Sequence, residues 1–395
     1  MSDTSVKILV VDDERDVEML IRQKFRKQIK ENKYSFLFAC DGLQALETIR
    51  RDPQINIVMT DINMPVMDGL TLLSRLSELN RLLKIVIVSA YGDMRNIRMA
   101  MNRGAYDFLI KPIDFQDCEL TIQKTIQELH VRQEGQRAQD ELMALQNELG
   151  IATRIQQSML PRTFPPFPER KDFEIYAEMM PARSVGGDFY DFFLLDEDRL
   201  GFVIGDVSGK GVPAAIFMAV CRTLLRATAM QGMPPGECLE YANTLLKRQS
   251  EAAMFVTIFY GILDTRTGEV NYSAGGHNPP YMLSRNGGVT LLECCGGTLV
   301  GAFDQTRYET GAVRLCPGDG IFLYTDGVTE ADDDGGRYFS EERLSGLLEQ
   351  VKARPVRQIV RDVIGAVQGF SAGAAQADDI TVMALRYLPA DGQEF

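Results

Sequence analysis

Asp12 and Asp13 close one short apolar run, Asp61 closes another, and Ser89 and Lys111 close two more. Three carboxylates brought to neighbouring strand ends repel one another unless a divalent cation sits between them. Oxygen donors that leave room for water suit Mg2+. An aspartate flanked by such a cation and by a lysine can accept a phosphoryl group as a nucleophile. Ser89 is expected to donate to a phosphoryl oxygen, and Lys111, followed by Pro112, to pair with an anion. One aspartate at a strand end is ordinarily a turn residue, so the reading rests on all five together.

A second acidic set begins after residue 180. Its segments are Val185-Gly186-Gly187-Asp188-Phe189-Tyr190-Asp191, Ile204-Gly205-Asp206-Val207-Ser208-Gly209-Lys210-Gly211, Tyr324-Thr325-Asp326-Gly327-Val328-Thr329-Glu330 and Ala377-Asp378-Asp379-Ile380-Thr381. Asp206 and Asp326 follow apolar runs, and Asp378-Asp379 precedes one. Carboxylates converging at strand ends, beside small residues that admit water, make an all-oxygen site for two hard cations. Two such cations can orient and acidify a water for in-line attack on a phosphoryl group, so no side-chain nucleophile is needed. Asp-Gly pairs are common turns, and the weight again lies on the four segments jointly. Ser208-Gly209-Lys210-Gly211 lacks the full phosphate-loop pattern, which excludes nucleotide binding there.

The rest of the composition narrows the field. Two histidines, His130 and His277, leave little for histidine-dependent nucleophilic catalysis in two domains. A net charge of −13 disfavours nucleic acid as a direct partner. Seven scattered cysteines, with Cys294 and Cys295 adjacent but no Cys-x-x-Cys pair, fit a reducing, cytoplasmic compartment. No apolar run is read as reaching the roughly 18–20 residues of a membrane span, and Met1-Ser2-Asp3-Thr4 opens no secretion signal.

The elements that must position these residues change along the chain. Lys7–Val11, Phe36–Ala39, Ile55–Asp61, Ile85–Ser89 and Tyr106–Lys111 are apolar runs separated by helical stretches. Continuous rather than alternating runs indicate strands buried on both faces, hence a parallel sheet with its ligands at the carboxyl ends. The fold class is therefore α/β: a doubly wound (βα)5 domain over residues 5–125. Residues 115–160 read as one long linker helix with a polar middle, expected to pair as a coiled coil in a homodimer. Pro161, Pro165, Pro166 and Pro168 end it. Over residues 161–388 short strands alternate with helices near 214–230, 238–250 and 341–351, an α+β sandwich.

Residues 5–125 resemble the receiver domains of two-component response regulators. The carrying residues are the Asp12-Asp13 pair, Thr60-Asp61-Ile62-Asn63-Met64-Pro65-Val66-Met67-Asp68-Gly69, Val88-Ser89-Ala90 and Lys111-Pro112. The resemblance implies that Asp61 is phosphorylated by a sensor histidine kinase or phosphotransfer protein. It implies that Asp13, Asp61 and the Asn63 carbonyl hold Mg2+, with Asp12 acting through water. Phe108 takes the position of the switch aromatic, beside Ser89 and Lys111.

Residues 150–388 are similar to PPM-type phosphatases of the stage II sporulation protein E and RsbU branch. Ile151–Pro161 and Ala274-Gly275-Gly276-His277-Asn278-Pro279-Pro280 add to the four acidic segments. The resemblance implies two Mn2+ or Mg2+ ions, with Asp206 bridging and the Val207 carbonyl beside it. Asp188 would act through water, Asp326 and Asp378 would complete the second site, and Asp379 is the less favoured of its pair. Arg183, five residues before Asp188, is a candidate phosphate contact. The implied substrate is a phosphoserine or phosphothreonine on an anti-sigma-factor antagonist. The same architecture occurs in RssB-type adaptors, which present a stationary-phase sigma factor for proteolysis and whose enterobacterial form lacks the metal carboxylates. Here Asp188, Asp206, Asp326 and Asp378 are all present, which favours the enzyme.

Overall fold

The computed structural model describes residues 5–78, 83–90, 93–249, 254–293 and 297–388. Met1–Thr4, Cys294 and Cys295 lie outside these. The chain divides into two compact units, residues 1–144 and 145–395.

The first unit runs β1 (Val6–Val11), α1 (Arg15–Lys24), α2 (Arg26–Lys30), β2 (Tyr34–Ala39), α3 (Gly42–Arg51), β3 (Ile55–Asp61), α4 (Gly69–Ser77), β4 (Lys84–Ala90), α5 (Met94–Asn102) and β5 (Asp107–Lys111). It ends in the first part of α6 (Phe115–Met159). The five strands form one parallel sheet in the order β2-β1-β3-β4-β5. Alternation along each strand feeds two cores. Leu9, Val11, Val58, Ile85 and Ile87 pack under α3, α4 and α5. Ile8, Val10, Ile57, Val86 and Val88 pack against Ile21, Phe25, Cys118 and Ile122 of α1, its C-cap and α6. Both sheet faces are therefore dry, which is why these strands read as unbroken apolar runs.

Helix α3 starts at Asp41, whose carboxylate accepts from the N–H groups of Leu43 at 2.8 Å and Gln44 at 2.9 Å. Removing such an N-cap leaves orphan donors at the helix start. Asp41→Ala is expected to cost about 1 kcal/mol, read as a lower urea midpoint for the first unit with its slope unchanged.

Helix α6 is continuous for 45 residues, including the polar stretch after Val131 that weakened the pattern. Leu142, Met143 and Leu145 are more than half exposed. The helix ends at Met159, and Pro161 stands two residues beyond.

The second unit holds β6 (Phe173–Met180), β7 (Phe189–Leu194), β8 (Arg199–Val207), α7 (Val212–Ala229), α8 (Pro235–Gln249), β9 (Val256–Asp264), β10 (Glu269–Gly275), β11 (Tyr281–Leu283), β12 (Val289–Leu291), β13 (Gly311–Arg314) and β14 (Gly320–Tyr324). It closes with α9 (Asp326–Thr329), α10 (Ser340–Val351), α11 (Val356–Phe370) and β15 (Ile380–Tyr387). Two antiparallel sheets, β13-β10-β9-β8-β7 and β12-β11-β14-β15-β6, stack face to face. On β14 and β15, Ile321, Leu323, Met383 and Leu385 point into the core between the sheets. Phe322, Tyr324, Val382 and Ala384 point to α10 and α11. Helices α7 and α8 cover the other sheet through Met218, Cys221, Leu225, Leu239 and Leu246. β6, β7, β11, β12 and β13 carried no clear periodic signal and were not anticipated; α11 was missed although Val356, Ile359, Val360, Val363, Ile364 and Val367 recur on one face.

Helix α7 corrects the membrane reading. Its 18 residues are long and apolar enough, by length and composition, to cross a bilayer. Alanines, methionine and cysteine raise that average. The buried residues Ala214, Met218, Cys221 and Leu225 recur on one face and lie in the sheet core.

Candidate functional site

In the first unit the parallel sheet delivers the acids to one edge. Asp12, Asp13 and Asp61 each offer an oxygen, and these oxygens lie within 4.8 Å of one another. Lys111 Nζ stands 2.6 Å from Asp61 Oδ2, 2.9 Å from Asp12 Oδ2 and 3.0 Å from Glu14 Oε1. Burial alone would pull the Lys111 ammonium down, but these three carboxylates outweigh it and hold it above the usual lysine range. Burial pushes the Asp12 carboxyl up, against the Glu14 N–H and Lys111. Ser89 sits on the neighbouring strand, where Val88 pairs with Asp61. Its Oγ is buried with no hydrogen-bond partner among the described residues. The Asn63 N–H donates to Asp61 Oδ1 at 3.2 Å. Phe108 is half-buried against the α3–α5 core. Glu14 was not anticipated, although it directly follows the Asp12-Asp13 pair.

In the second unit the carboxylates come from both sheets. Asp188 precedes β7 and Asp206 lies near the end of β8; Asp326 opens α9 and Asp378-Asp379 leads into β15. Asp188 is 1% exposed. The Thr325 hydroxyl donates to its Oδ2 at 2.7 Å. Burial, then the charges of Asp206 and Asp379, push Asp188 well above the carboxylate range. Burial and the Asp326 charge push Asp206 up to about 7. Burial, Glu330 and Asp378 raise Asp326. Among the described residues no three of these acids gather as tightly as the trio of the first unit.

The adjacent pair divides its work. Asp379 spends both oxygens on backbone, accepting from Ala182 N–H at 2.8 Å and Gly187 N–H at 2.7 Å, with Asp188 N–H at 3.5 Å. It thereby holds the loop that carries Asp188. Asp378 instead meets Lys210 Nζ at 2.9 Å. Two glycines permit this closeness. A Cβ on Gly327 would come within 1.9 Å of the Asp379 carbonyl oxygen, and one on Gly186 within 2.3 Å of Asp379 Oδ2. The Val207 carbonyl faces Gly187, where a Cβ would stand 2.8 Å away.

The end of α6 grips the same loop. Gln156 donates from Nε2 to the Gly186 carbonyl at 2.5 Å and accepts the Gly186 N–H at 3.1 Å. The Thr153 hydroxyl donates to the Ser184 carbonyl at 2.6 Å. Arg183 is exposed and forms no ion pair among the described residues. His277 is buried, with Nδ1 2.8 Å from Thr257 Oγ1, and burial pulls its pKa down to about 4. Lys210, Thr325 and Gln156 were missed. The nearest signals were that Lys210 follows Asp206 by four residues and that Thr325 adjoins Asp326.

Clustered, mutually repelling carboxylates offer the oxygen ligands that hard divalent cations prefer. In the first unit Asp12, Asp13 and Asp61 offer such a set, and in the second Asp188, Asp206, Asp326 and Asp378 do.

Comparison with known proteins gives the same division. The response regulator receiver domain model matches residues 8–123, and the Stage II sporulation protein E (SpoIIE) model matches residues 196–388. Protein IcfG of Synechocystis sp. is 32% identical over 268 residues, 60% of this chain and 41% of IcfG. The chain thus spans less than half of that relative. Phosphoserine phosphatase RsbU of Bacillus subtilis is 27% identical over 64% of this chain and 74% of its own length. Sporulation initiation phosphotransferase F of Bacillus subtilis is 30% identical over 30% of this chain and 91% of its own. The RsbU and RsbW domains of Rv1364c from Mycobacterium tuberculosis superpose with a TM-score of 0.50 at 29% identity, covering 55% of this chain and 61% of that one. The chain belongs to the response regulator receiver family through its first unit, and over residues 196–388 it matches the Stage II sporulation protein E (SpoIIE) model.

Proposed function

We propose that this protein is a divalent-metal-dependent phosphoserine and phosphothreonine phosphatase whose activity is set by phosphorylation of Asp61. The observation that carries the reading is the convergence of Asp188, Asp206, Asp326 and Asp378 from two sheets, with Asp206 held up to about 7. When bound there, Mn2+ or Mg2+ supplies charge for the phosphoryl oxygens and a more acidic water. Asp206, the Val207 carbonyl, Asp326 and Asp378 are the groups that would hold the ions, with Asp188 behind them. Asp379 orients the Asp188 loop from below.

In the first unit, Asp61 is the proposed acceptor, with Asp12, Asp13 and the Asn63 carbonyl for Mg2+. Lys111 and Ser89 would hold the phosphoryl oxygens, and Phe108 would follow Ser89. A sensor histidine kinase or phosphotransfer protein would supply the phosphoryl group. The proposed substrate is a cytoplasmic anti-sigma-factor antagonist. The name of RsbU supports phosphoserine chemistry for a relative of this kind. Homodimers through α6 would bring two such chains together, and Gln156 gives that helix a direct hold on Gly186.

The experiment is hydrolysis of p-nitrophenyl phosphate and of a phosphoserine antagonist protein with Mn2+ or Mg2+, with and without acetyl phosphate. Metal-dependent turnover that responds to acetyl phosphate in the native chain, and not in Asp61→Asn, is the expected result. A folded, metal-loaded chain inert on both substrates would move the reading to a sigma-factor adaptor. Gln156→Ala removes two hydrogen bonds of about 1 kcal/mol each. It is expected to lower kcat roughly tenfold while the melting temperature moves by only a few degrees.

A further inference from the structure

Lys210 stands outside the ligand groups just described, yet the fold sets it among them. It lies in the turn between β8, which carries Asp206, and α7. Gly209 and Gly211 flank it at φ 89° and 79°, the left-handed region that favours glycine. The two glycine turns present Lys210 to the segment before β15. There Nζ meets Asp378 Oδ2 at 2.9 Å and donates to the Ala377 carbonyl at 2.5 Å. Among the described residues it is the one cationic side chain paired with any of Asp188, Asp206, Asp326, Asp378 and Asp379. Lys210 and Asp378 are each 39% exposed, so a phosphorylated side chain can reach them from solvent.

An ammonium has three donors and no acceptor. Two are used here, and the third meets no acceptor among the described residues. Its hold on Asp378 is also exchangeable, because a divalent cation on that carboxylate competes with it. Phosphoryl transfer spreads negative charge over three equatorial oxygens, and fixed cations aimed at them supply much of the catalysis. Arg183, the other candidate for this task, has no such anchoring.

We propose that Lys210 is a catalytic residue that contacts the phosphoryl group during hydrolysis and is parked on Asp378 and the Ala377 carbonyl between turnovers. This rests on the phosphatase reading above. In the reaction a water oxygen forms the new bond to phosphorus and the bond to the serine oxygen breaks with its electron pair. The proton released by the water passes to that serine oxygen. Lys210 keeps its charge throughout and exchanges a carboxylate partner for a phosphoryl oxygen.

The test uses the full chain with Mn2+, comparing the native protein with Lys210→Met and Lys210→Arg. Three quantities are read: kcat on p-nitrophenyl phosphate, the inhibition constant of inorganic phosphate, and the melting temperature across an Mn2+ titration. Lys210→Met is expected to lower kcat by about 10²-fold and to weaken phosphate inhibition roughly tenfold. Its Mn2+-dependent rise in melting temperature should persist, at equal or lower metal concentration, and Lys210→Arg should recover part of the phosphate inhibition. If Lys210→Met matches an active native chain in kcat and phosphate inhibition, Lys210 is only an ion-pair partner of Asp378 and the assignment falls alone. An inert native chain would remove the phosphatase reading and this assignment together. Should Lys210→Met fail to fold, the phosphate inhibition constant of Lys210→Gln decides by the same criterion.

Discussion

Asp206→Asn is expected to abolish turnover, by about 10³-fold or more, while making the metal-free protein more stable. Both effects have one cause. Asp206 is half-buried, and burial followed by the Asp326 charge pushes its carboxyl up to about 7, although a hydrogen bond with Asp188 pulls the other way. A carboxylate raised in the folded state costs stability once it ionises. That cost is absent below the ordinary carboxylate range, grows as pH rises through about 7, and is complete above it. An amide of the same shape removes the charge and the cost. At pH 8 without metal, the variant should melt roughly 2–4 °C higher, for a gain of about 1 kcal/mol. At pH 4 the two proteins should melt together. Metal reverses the order. A ligand at a hundredfold excess over its Kd stabilises by about 2.7 kcal/mol, and the variant should lose most of that. Calorimetry at two pH values, with and without Mn2+, separates these arms. A variant with native turnover, or with the native Mn2+ shift, would remove Asp206 from the metal site.

Asp379→Ala is expected to be the costlier change for folding. Its carboxylate satisfies the N–H groups of Ala182 and Gly187 at 2.8 and 2.7 Å, and reaches toward that of Asp188. Each buried donor left without a partner costs about 1–3 kcal/mol. Gly186 and Gly327 press too closely on Asp379 for the chain to close over the gap without moving. A loss of about 3–5 kcal/mol follows, a fall of roughly 10 °C in the melting of the second unit. The first unit's transition should stay in place as an internal control, since separate units need not unfold together. Turnover should be lost too, because residues 182–188 carry Asp188. Asp379→Asn keeps one acceptor oxygen and should fall between the two. A melting temperature within about 2 °C of native for Asp379→Ala would show that the loop is held by other contacts, with Gln156 the first to examine.

Much of this protein is readable without coordinates. In the first unit the sheet is parallel and dry on both faces, so each strand is an unbroken apolar run ending at its polar residue. Sequence position and spatial position coincide there. Asp12, Asp13, Asp61, Ser89 and Lys111 therefore fall at one edge by topology alone. The acids of the second unit were legible as types, because Asp206 and Asp326 follow strong apolar runs. Other parts depended on packing between distant segments. β6 and β7 carry polar and aromatic residues that distant segments bury, Tyr176 against α10 and α11 and Asp191 against Arg222 and Arg226 of α7, and α7 is apolar on average until the sheet selects one face. The task of Asp379 is set by backbone N–H groups nearly two hundred residues earlier in the chain. No local pattern separates it from Asp378. The same holds for Lys210, whose charge matters because two glycine turns and a second sheet bring it to Asp378. Local periodicity specifies the elements and which residues can do chemistry. Only long-range closure of the two sheets decides which of them meet.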